Sequence, residues 1–319
     1  MISSCPPLWG RLCRSPATKI NNYLQVINMK QNTIYALGFF DGVHLGHAAL
    51  LSACRELAAE VGANASVVTF DGHPDTLVRG ITPPLLNTPA DRALLLKSHG
   101  MEAMVTLPFD KALMDMPWQD FISLLISKYH AAGFVCGSDF RFGHHGEGTA
   151  EKLRALGIPC RIVPQQYLDG IRISSTHIRN LLEEGRMEEA VRFLGHPHIL
   201  TGRVEAGRQL GRTVGIPTAN LHIPEGVLTP RLGVYACKAT LPNGEEYMAV
   251  TNIGSRPTVN GSKITVEPWL LDFNGDLYGQ QLTLSLYAFL RPEQKFADLA
   301  ELASEIRKNA AQTRKFFGN

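Results

Sequence analysis

Two histidines three residues apart, His44 and His47, close the stretch Gly38-Phe39-Phe40-Asp41-Gly42-Val43-His44-Leu45-Gly46-His47. Imidazoles so placed donate hydrogen bonds where negative charge builds up in a transition state. An apolar segment precedes the stretch and another, Ala48 to Leu51, follows it, the pattern of a strand that breaks at glycines and re-enters a helix. The helix N-terminus, with its unpaired N–H groups and positive dipole end, then faces an open crevice suited to phosphate. Taken alone, the residues equally suit a tight turn carrying two surface histidines, and only their surroundings separate the readings.

Three further stretches carry polar chemistry. Gly137-Ser138-Asp139-Phe140-Arg141-Phe142-Gly143 follows the apolar segment Phe134 to Cys136, so an acid, a base and two aromatics stand at a strand's carboxyl end. Such a loop clamps a flat ring and a phosphate, or else folds its aromatics back into the core. In Ile173-Ser174-Ser175-Thr176-His177-Ile178-Arg179, Ser174 or Ser175 caps a helix, and Arg179 lies one turn beyond Ser175 on the same face. Hydroxyls, free N–H groups and a guanidinium at one helix start make a polyphosphate site, although a capped helix with a solvated arginine has the same sequence. The fourth stretch, residues 202–220, places Gly202, Gly207, Gly211 and Gly215 among Arg203, Arg208 and Arg212. Its glycines let the backbone approach a ligand and its arginines supply charge for phosphate, while a mobile loop has the same composition. No GKS or GKT follows, so it is not a Walker loop.

The elements that must position these residues alternate from Thr33 onward. Strand patterns at Thr33 to Leu37, Ser66 to Phe70, Glu102 to Leu107, Phe134 to Cys136 and Cys160 to Pro164 are separated by helical patterns at Ala48 to Val61, Thr88 to Gly100, Trp118 to Ala131 and Thr149 to Leu156. Mostly apolar strands alternating with helices predict a parallel sheet covered on both faces, with ligands at the strands' carboxyl ends. Met187 to Leu194 reads as a short helix stopped by Gly195-His196-Pro197. Beyond it come five or six strand patterns with turn signals such as Pro242-Asn243-Gly244, which suggest a small antiparallel barrel. A last helix from Asp298 to about Phe317 presents Leu299, Leu302, Ile306 and Ala310 as a covering face. The expected division is an extension over residues 1–29, taken as disordered, then a domain over 30–185 and another over 186–319. Met29 is an alternative start.

Composition narrows the partners. Thirty-one basic against 29 acidic residues leave a net charge of +2, which offers no bulk attraction for nucleic acid or membrane and favours a small-molecule ligand. The six cysteines show neither a CxxC pair nor zinc-ligand spacing, the usage of reduced thiols in the cytoplasm. No apolar run reaches the roughly 18 residues a membrane span needs.

In this order, the motifs make the N-terminal half resemble the HxGH nucleotidyltransferase superfamily, and within it the FMN adenylyltransferase module of the bacterial bifunctional riboflavin kinase/FAD synthetases. Residues 38–47, Thr69-Phe70-Asp71-Gly72-His73-Pro74, residues 137–143 and residues 173–179 carry that likeness. The second half resembles the riboflavin kinase module of the same enzymes through Gly211-Arg212-Thr213-Val214-Gly215-Ile216-Pro217-Thr218-Ala219-Asn220, Gly233-Val234-Tyr235, residues 252–258, Val266-Glu267 and Asp276-Leu277-Tyr278-Gly279. The resemblance covers roughly residues 33 to 317. It implies a Rossmann-like nucleotidyltransferase domain followed by a β-barrel kinase domain with a C-terminal helix. Such a chain phosphorylates riboflavin to FMN and then adenylylates FMN to FAD. The same likeness leaves open a chain that keeps one of the two activities, more readily the adenylyl transfer, or a non-catalytic flavin-binding regulator.

What the likeness implies for residues is specific. His44 and His47 stabilise the α-phosphate of ATP, with Gly38, Phe39, Asp41 and Gly46 around the nucleotide, and Ser174, Ser175, Thr176 and Arg179 hold the leaving phosphates. Asp139, Phe140, Arg141, Phe142 and Arg291 contact flavin. In the kinase half Gly202, Gly207 and Arg212 serve ATP, Thr218 and Asn220 bind its phosphates with Mg²⁺, and Glu267 is the base. Two departures stand out: Gly72 replaces the family's usual proline, giving a looser loop before His73, and Pro268-Trp269 follows Glu267. A proline in a strand is expected at an edge or bulge because it lacks a ladder donor.

Overall fold

The structure, a computed structural model, describes residues 32–205, 216–258 and 261–318. The expected extension over 1–29 and the loop positions Gly207 and Arg212 lie outside those residues. By packing, the described chain divides into two compact units. One holds the residues up to Pro83 together with Pro89–Arg172, and the other holds Pro84–Thr88 and the chain from Ile173 onward.

In the first unit five parallel strands lie in the order Ala103–Leu107, Asn64–Phe70, Thr33–Leu37, Ala131–Gly137, Cys160–Val163. Every residue of Thr33–Leu37 is buried, as a central strand covered on both faces must be. The chain crosses to one side of this strand first and to the other later, so the switch in strand order falls at its carboxyl end. There the chain turns into the helix Leu45–Val61, which ends at Gly62 in the left-handed conformation (φ 65°). The core under this sheet gathers Tyr35, Leu37, Phe121, Leu125, Phe134 and Leu153. Where the pattern predicts a helix running to Ala131, the helix stops at Tyr129 and His130 takes a left-handed φ of 53°. Pairing wins over helix continuation: Thr33 N donates to His130 O at 3.1 Å and Ala131 pairs with Thr33 in the sheet.

The second unit contains a closed six-stranded barrel, in the order His198–Glu205, Asn220–Leu221, Gly261–Leu270, Glu246–Thr258, Gly233–Thr240, Gln281–Pro292. Leu282, Leu284, Leu286 and Ala288 alternate inward along the last strand. Closure removes the free edges that an open sheet of this size would leave. The helix Leu299–Phe316 is capped by Asp298, whose carboxylate accepts from Glu301 N at 2.8 Å. Its expected covering face is corrected at one end: Leu299 is 50% exposed, and the buried positions are Ala303, Asn309, Ala310 and Thr313. The packed face therefore begins one turn inside the helix.

His198, at the start of the barrel's first strand, is buried, and its Nε2 has no hydrogen-bond partner. Burial, reinforced by the neighbouring His196, pushes its imidazole from 6.5 down to about 3. Unfolded chains take up this proton below about pH 6.5 while the folded chain does not until about pH 3. The folded state is therefore favoured fully above pH 6.5 and loses up to about 1.4 kcal/mol per pH unit as pH falls through that window. His198→Leu is expected to flatten this part of the stability profile, as measured by urea unfolding at pH 7, 6 and 5.

Candidate functional site

Strain comes first in the histidine turn. Phe40 (φ 58°) and Val43 (φ 40°) are both left-handed, which a bulky or β-branched residue adopts at about 1–3 kcal/mol each. Both side chains are completely buried and hold the backbone there. Their burial brings His44 to the cap of Leu45–Val61, where its Nδ1 accepts from His47 N at 3.2 Å. A neutral imidazole that accepts at Nδ1 carries its proton on Nε2 and so offers that N–H as a donor. The His47 ring stacks on His44 at 3.7 Å, with 10° between planes. Desolvation, then the charges of His44 and Arg92, hold the His47 imidazole well below its ordinary range, so it is neutral at pH 7.

Arg92, which sequence reasoning overlooked, sits behind this turn. It lies on the helix Pro89–Ser98 and is 3% exposed. Its Nη1 donates to Phe39 O at 2.9 Å and its Nη2 to Phe70 O at 3.2 Å. The sequence does carry a signal: Arg92 shares a helical face with buried Leu95 and Leu96, whereas Leu94 points outward.

A cavity of about 850 Å³ opens beside the turn, lined by Gly38, Phe39, Phe70, Phe109, Phe121, Phe140, Arg141 and Phe142 among others. Its walls are mainly apolar and rich in phenylalanine, with Arg79 and Arg141 as cations and Asp115 as an acid, a lining that suits a flat conjugated ring. Phe140 and Phe142 stack at 5.6 Å, and both pack on the core as well as lining the cavity. Asp139 differs from expectation: it does not line the cavity, and its carboxylate accepts from Arg172 at 2.6 Å and Gln165 at 3.2 Å. Despite Gly72, His73 is held firmly, capping the helix Pro74–Val78 through Asp75 N at 3.1 Å and packing edge-on against Phe39.

In the second unit, Ser174 caps the helix Ser175–Glu184 by accepting from His177 N at 3.2 Å. Arg179 is buried, and its Nε donates to Pro84 O at 2.7 Å. Ser175 and Thr176 form the helix's first turn.

The barrel offers two cavities, and Thr218 lines both. One, of about 300 Å³, is lined by Glu267, Asn252, Trp269, Arg291, Phe296 and Asn309 among others. The other, of about 320 Å³, is lined by Pro217, Ala219, Phe273, Asp276 and Tyr278 among others. Glu267 lies opposite Asn252 in the strand register. Arg291 Nε donates to Asn309 Oδ1 at 3.1 Å and lies 3.7 Å from Glu305, which fixes the guanidinium at the cavity wall. Asn220 pairs with Glu205 and Gly202 with Leu282 in the barrel ladder, and neither lines these two cavities.

Pro268 proves compatible with an interior strand. Ala219 N donates to Pro268 O at 2.9 Å. A strand residue's N–H and C=O point to the same side, so the missing donor also faces Ala219, where the neighbouring strand is only Asn220–Leu221. The ladder to Glu246–Thr258 loses nothing, and the strand runs on to Leu270.

A base-free histidine turn in an α/β unit, joined to a carboxylate-lined barrel, defines a two-module phosphate-transfer enzyme. The FAD synthetase family profile matches residues 26–177 and the riboflavin kinase profile matches residues 194–317. The bifunctional riboflavin kinase/FMN adenylyltransferase of Listeria monocytogenes is 35% identical over 90% of this chain and 93% of its own length. Its namesake in Escherichia coli K12 is 35% identical over 91% and 94%. A crystal structure described as a macrolide-efflux protein from Streptococcus pneumoniae superposes with a TM-score of 0.82, at 29% identity over 91% of this chain and 96% of that one. Among the described residues no helix is long and apolar enough to cross a membrane. The chain belongs to the bifunctional riboflavin kinase/FMN adenylyltransferase family.

The capping role of His44 is separable from its chemistry. Unfolding by urea is expected to show His44→Ala destabilised by about 1 kcal/mol, the worth of an N-cap. His44→Asn, which also caps, is expected to stay within about 0.5 kcal/mol of the parent.

Proposed function

We propose that this chain makes FAD from riboflavin in two successive transfers, carried by the presence in one polypeptide of the histidine turn and the Glu267–Thr218 cavity. In the barrel, Glu267 takes the proton of the ribityl 5′-hydroxyl as its oxygen bonds to the γ-phosphorus of ATP and the bond to ADP breaks. A hydroxyl needs such a base, and a carboxylate beside it is suited to the task. Arg291, held by Asn309 and Glu305, orients the flavin. Thr218, common to both barrel cavities, stands where flavin and nucleotide meet. Thr218 and Asn220, with Gly202, Gly207 and Arg212 around the nucleotide, complete the phosphate site.

The donors fit magnesium. Thr218 and Asn220 supply neutral oxygens, and the described residues hold no cluster of three or more His, Cys, Asp or Glu for a metal. A cation bound largely through substrate phosphates and water suits that arrangement. Magnesium bound there neutralises charge on the transferred phosphoryl group.

The second transfer needs no protein base, because the FMN phosphate is already an anion. Its oxygen bonds to the α-phosphorus of ATP and pyrophosphate leaves. His44 and His47 donate to the crowded α-phosphate, Gly38, Phe39, Asp41 and Gly46 shape its seat, and Ser174, Ser175, Thr176 and Arg179 hold the leaving phosphates. Alignment and charge stabilisation suffice for such a step. Phe140, Phe142 and Arg141 hold the flavin ring in the aromatic cavity, with Asp139, paired to Arg172, outside its lining. The functional division follows residues 30–185 and 186–319, and the four described cysteines, all free, suit the cytoplasm.

Chromatography of flavins after incubation with riboflavin, ATP and Mg²⁺ tests the two sites separately. His47→Ala is expected to cut FAD formation by about 10²–10³-fold and spare FMN formation, whereas Glu267→Gln cuts FMN formation by about 10²–10⁴-fold and spares FAD formation from supplied FMN. Loss of both activities in either folded variant contradicts the division. The aromatic cavity has its own test in the KM for FMN: Phe140→Ala raises it about tenfold, and Asp139→Ala by less than about threefold, since Asp139 lies outside the lining.

A further inference from the structure

We propose that Arg92 is the positioning residue of the adenylyl-transfer site, clamping the ends of two strands and setting a buried positive charge behind the histidine turn. The inference rests on the reading of His44 and His47 as the phosphate site. Phe39 follows the strand Thr33–Leu37 and Phe70 ends Asn64–Phe70, its parallel neighbour. Carbonyls at such ends lack ladder partners, and buried ones left unpaired are costly. One guanidinium satisfies both, at 2.9 and 3.2 Å, because its planar fork reaches two acceptors at once. Thr69 Oγ1 reinforces the clamp by donating to Phe39 O at 2.9 Å. The cation also lies over the Phe39 ring, 4.6 Å from its centre. Phe39 begins the turn that leads through the strained Phe40 and Val43 to His44, so its placement sets theirs.

An apolar side chain fills a buried space at lower desolvation cost than a guanidinium. What a cation adds here is its charge, and two kinds of group face it. Asp41 and Asp71 favour its charged form, while burial pushes it down to about 10, leaving it a cation at pH 7. The other is His47, with His44 stacked on it, whose protonation is disfavoured by burial, by His44 and by this cation. His47 Nδ1 and Arg92 Nε are both buried without a hydrogen-bond partner. In surroundings of low dielectric, that charge acts on the α-phosphate without touching it.

Arg92→Met and Arg92→Lys in the full chain test this, with urea unfolding as the measure of intact protein and FMN formation by the barrel as the activity control. Arg92→Met is expected to lower kcat for FAD formation about 100-fold, with the KM for FMN within about threefold and FMN formation unchanged. In Arg92→Met the His47 imidazole, followed by NMR, is expected to titrate at higher pH than in the parent, because it gains a proton more readily once the cation is gone. Arg92→Lys keeps the charge and loses the fork, so it is expected to be about tenfold slow with the His47 titration in place. Should the Met variant fail to fold, the Lys variant decides: a parental rate overturns the clamp. A folded Met variant in which the His47 titration is unmoved overturns the charge role, whatever its rate. If His47→Ala still forms FAD at the parental rate, the reading of the turn fails instead of the inference drawn from it.

Discussion

The hydrogen bond from His47 N to His44 Nδ1 is the contact on which the proposed adenylyl-transfer site depends. It caps the helix, assigns the His44 proton to Nε2 and brings the two rings into parallel stacking. None of this is available to an unstrained chain. Phe40 and Val43 must be left-handed to deliver His44 to the cap, and their full burial holds them there. Packing energy from the core is thus converted into placement of two imidazoles, the form of preorganisation that the proposed transfer, which has no protein nucleophile, requires.

In the proposed reaction the barrel has a different problem to solve, which is to bring a proton acceptor to a hydroxyl. Glu267 stands on an interior strand whose next residue is proline, an arrangement that works only because the missing donor faces the short strand Asn220–Leu221. Brevity of that strand is therefore more than a barrel defect. It leaves room for the Thr218 segment to run between two cavities, and Thr218 lines both. A full-length sixth strand would pair along Pro268 and meet a residue with no N–H to offer it.

Much of this was legible in the sequence because it is written locally. Alternation of apolar strands and helices, the glycine after Val61, the Asp298 cap and the order of the motifs are all short-range signals, and the α/β unit and barrel follow from them. Less legible were features decided by contacts distant along the chain. The helix expected to reach Ala131 ends at Tyr129 because Ala131 pairs with Thr33, nearly a hundred residues away. Asp139 reads as a ligand-facing acid, and its pairing with Arg172 is not written locally in the sequence. Leu299 has the helical spacing of a covering residue, but spacing does not say where the packed surface begins.

Arg92 shows the same limit most sharply. Charged residues on a helix are ordinarily assigned to solvent, so its place on the face of Leu95 and Leu96 looks like a flaw in an amphipathic pattern. The pattern is sound, and the exception is where the chemistry lies. A buried guanidinium is stable only where geometry supplies acceptors and opposing charge, and here the carbonyls of Phe39 and Phe70 and the charges of Asp41 and Asp71 do so. Those carbonyls stand at the sheet's switch point, where the phosphate-holding turn must begin. A charged residue on the apolar face of a helix packed behind a strand end is therefore a sequence-level pointer to a site, provided the strand is central enough for its end to be the crevice.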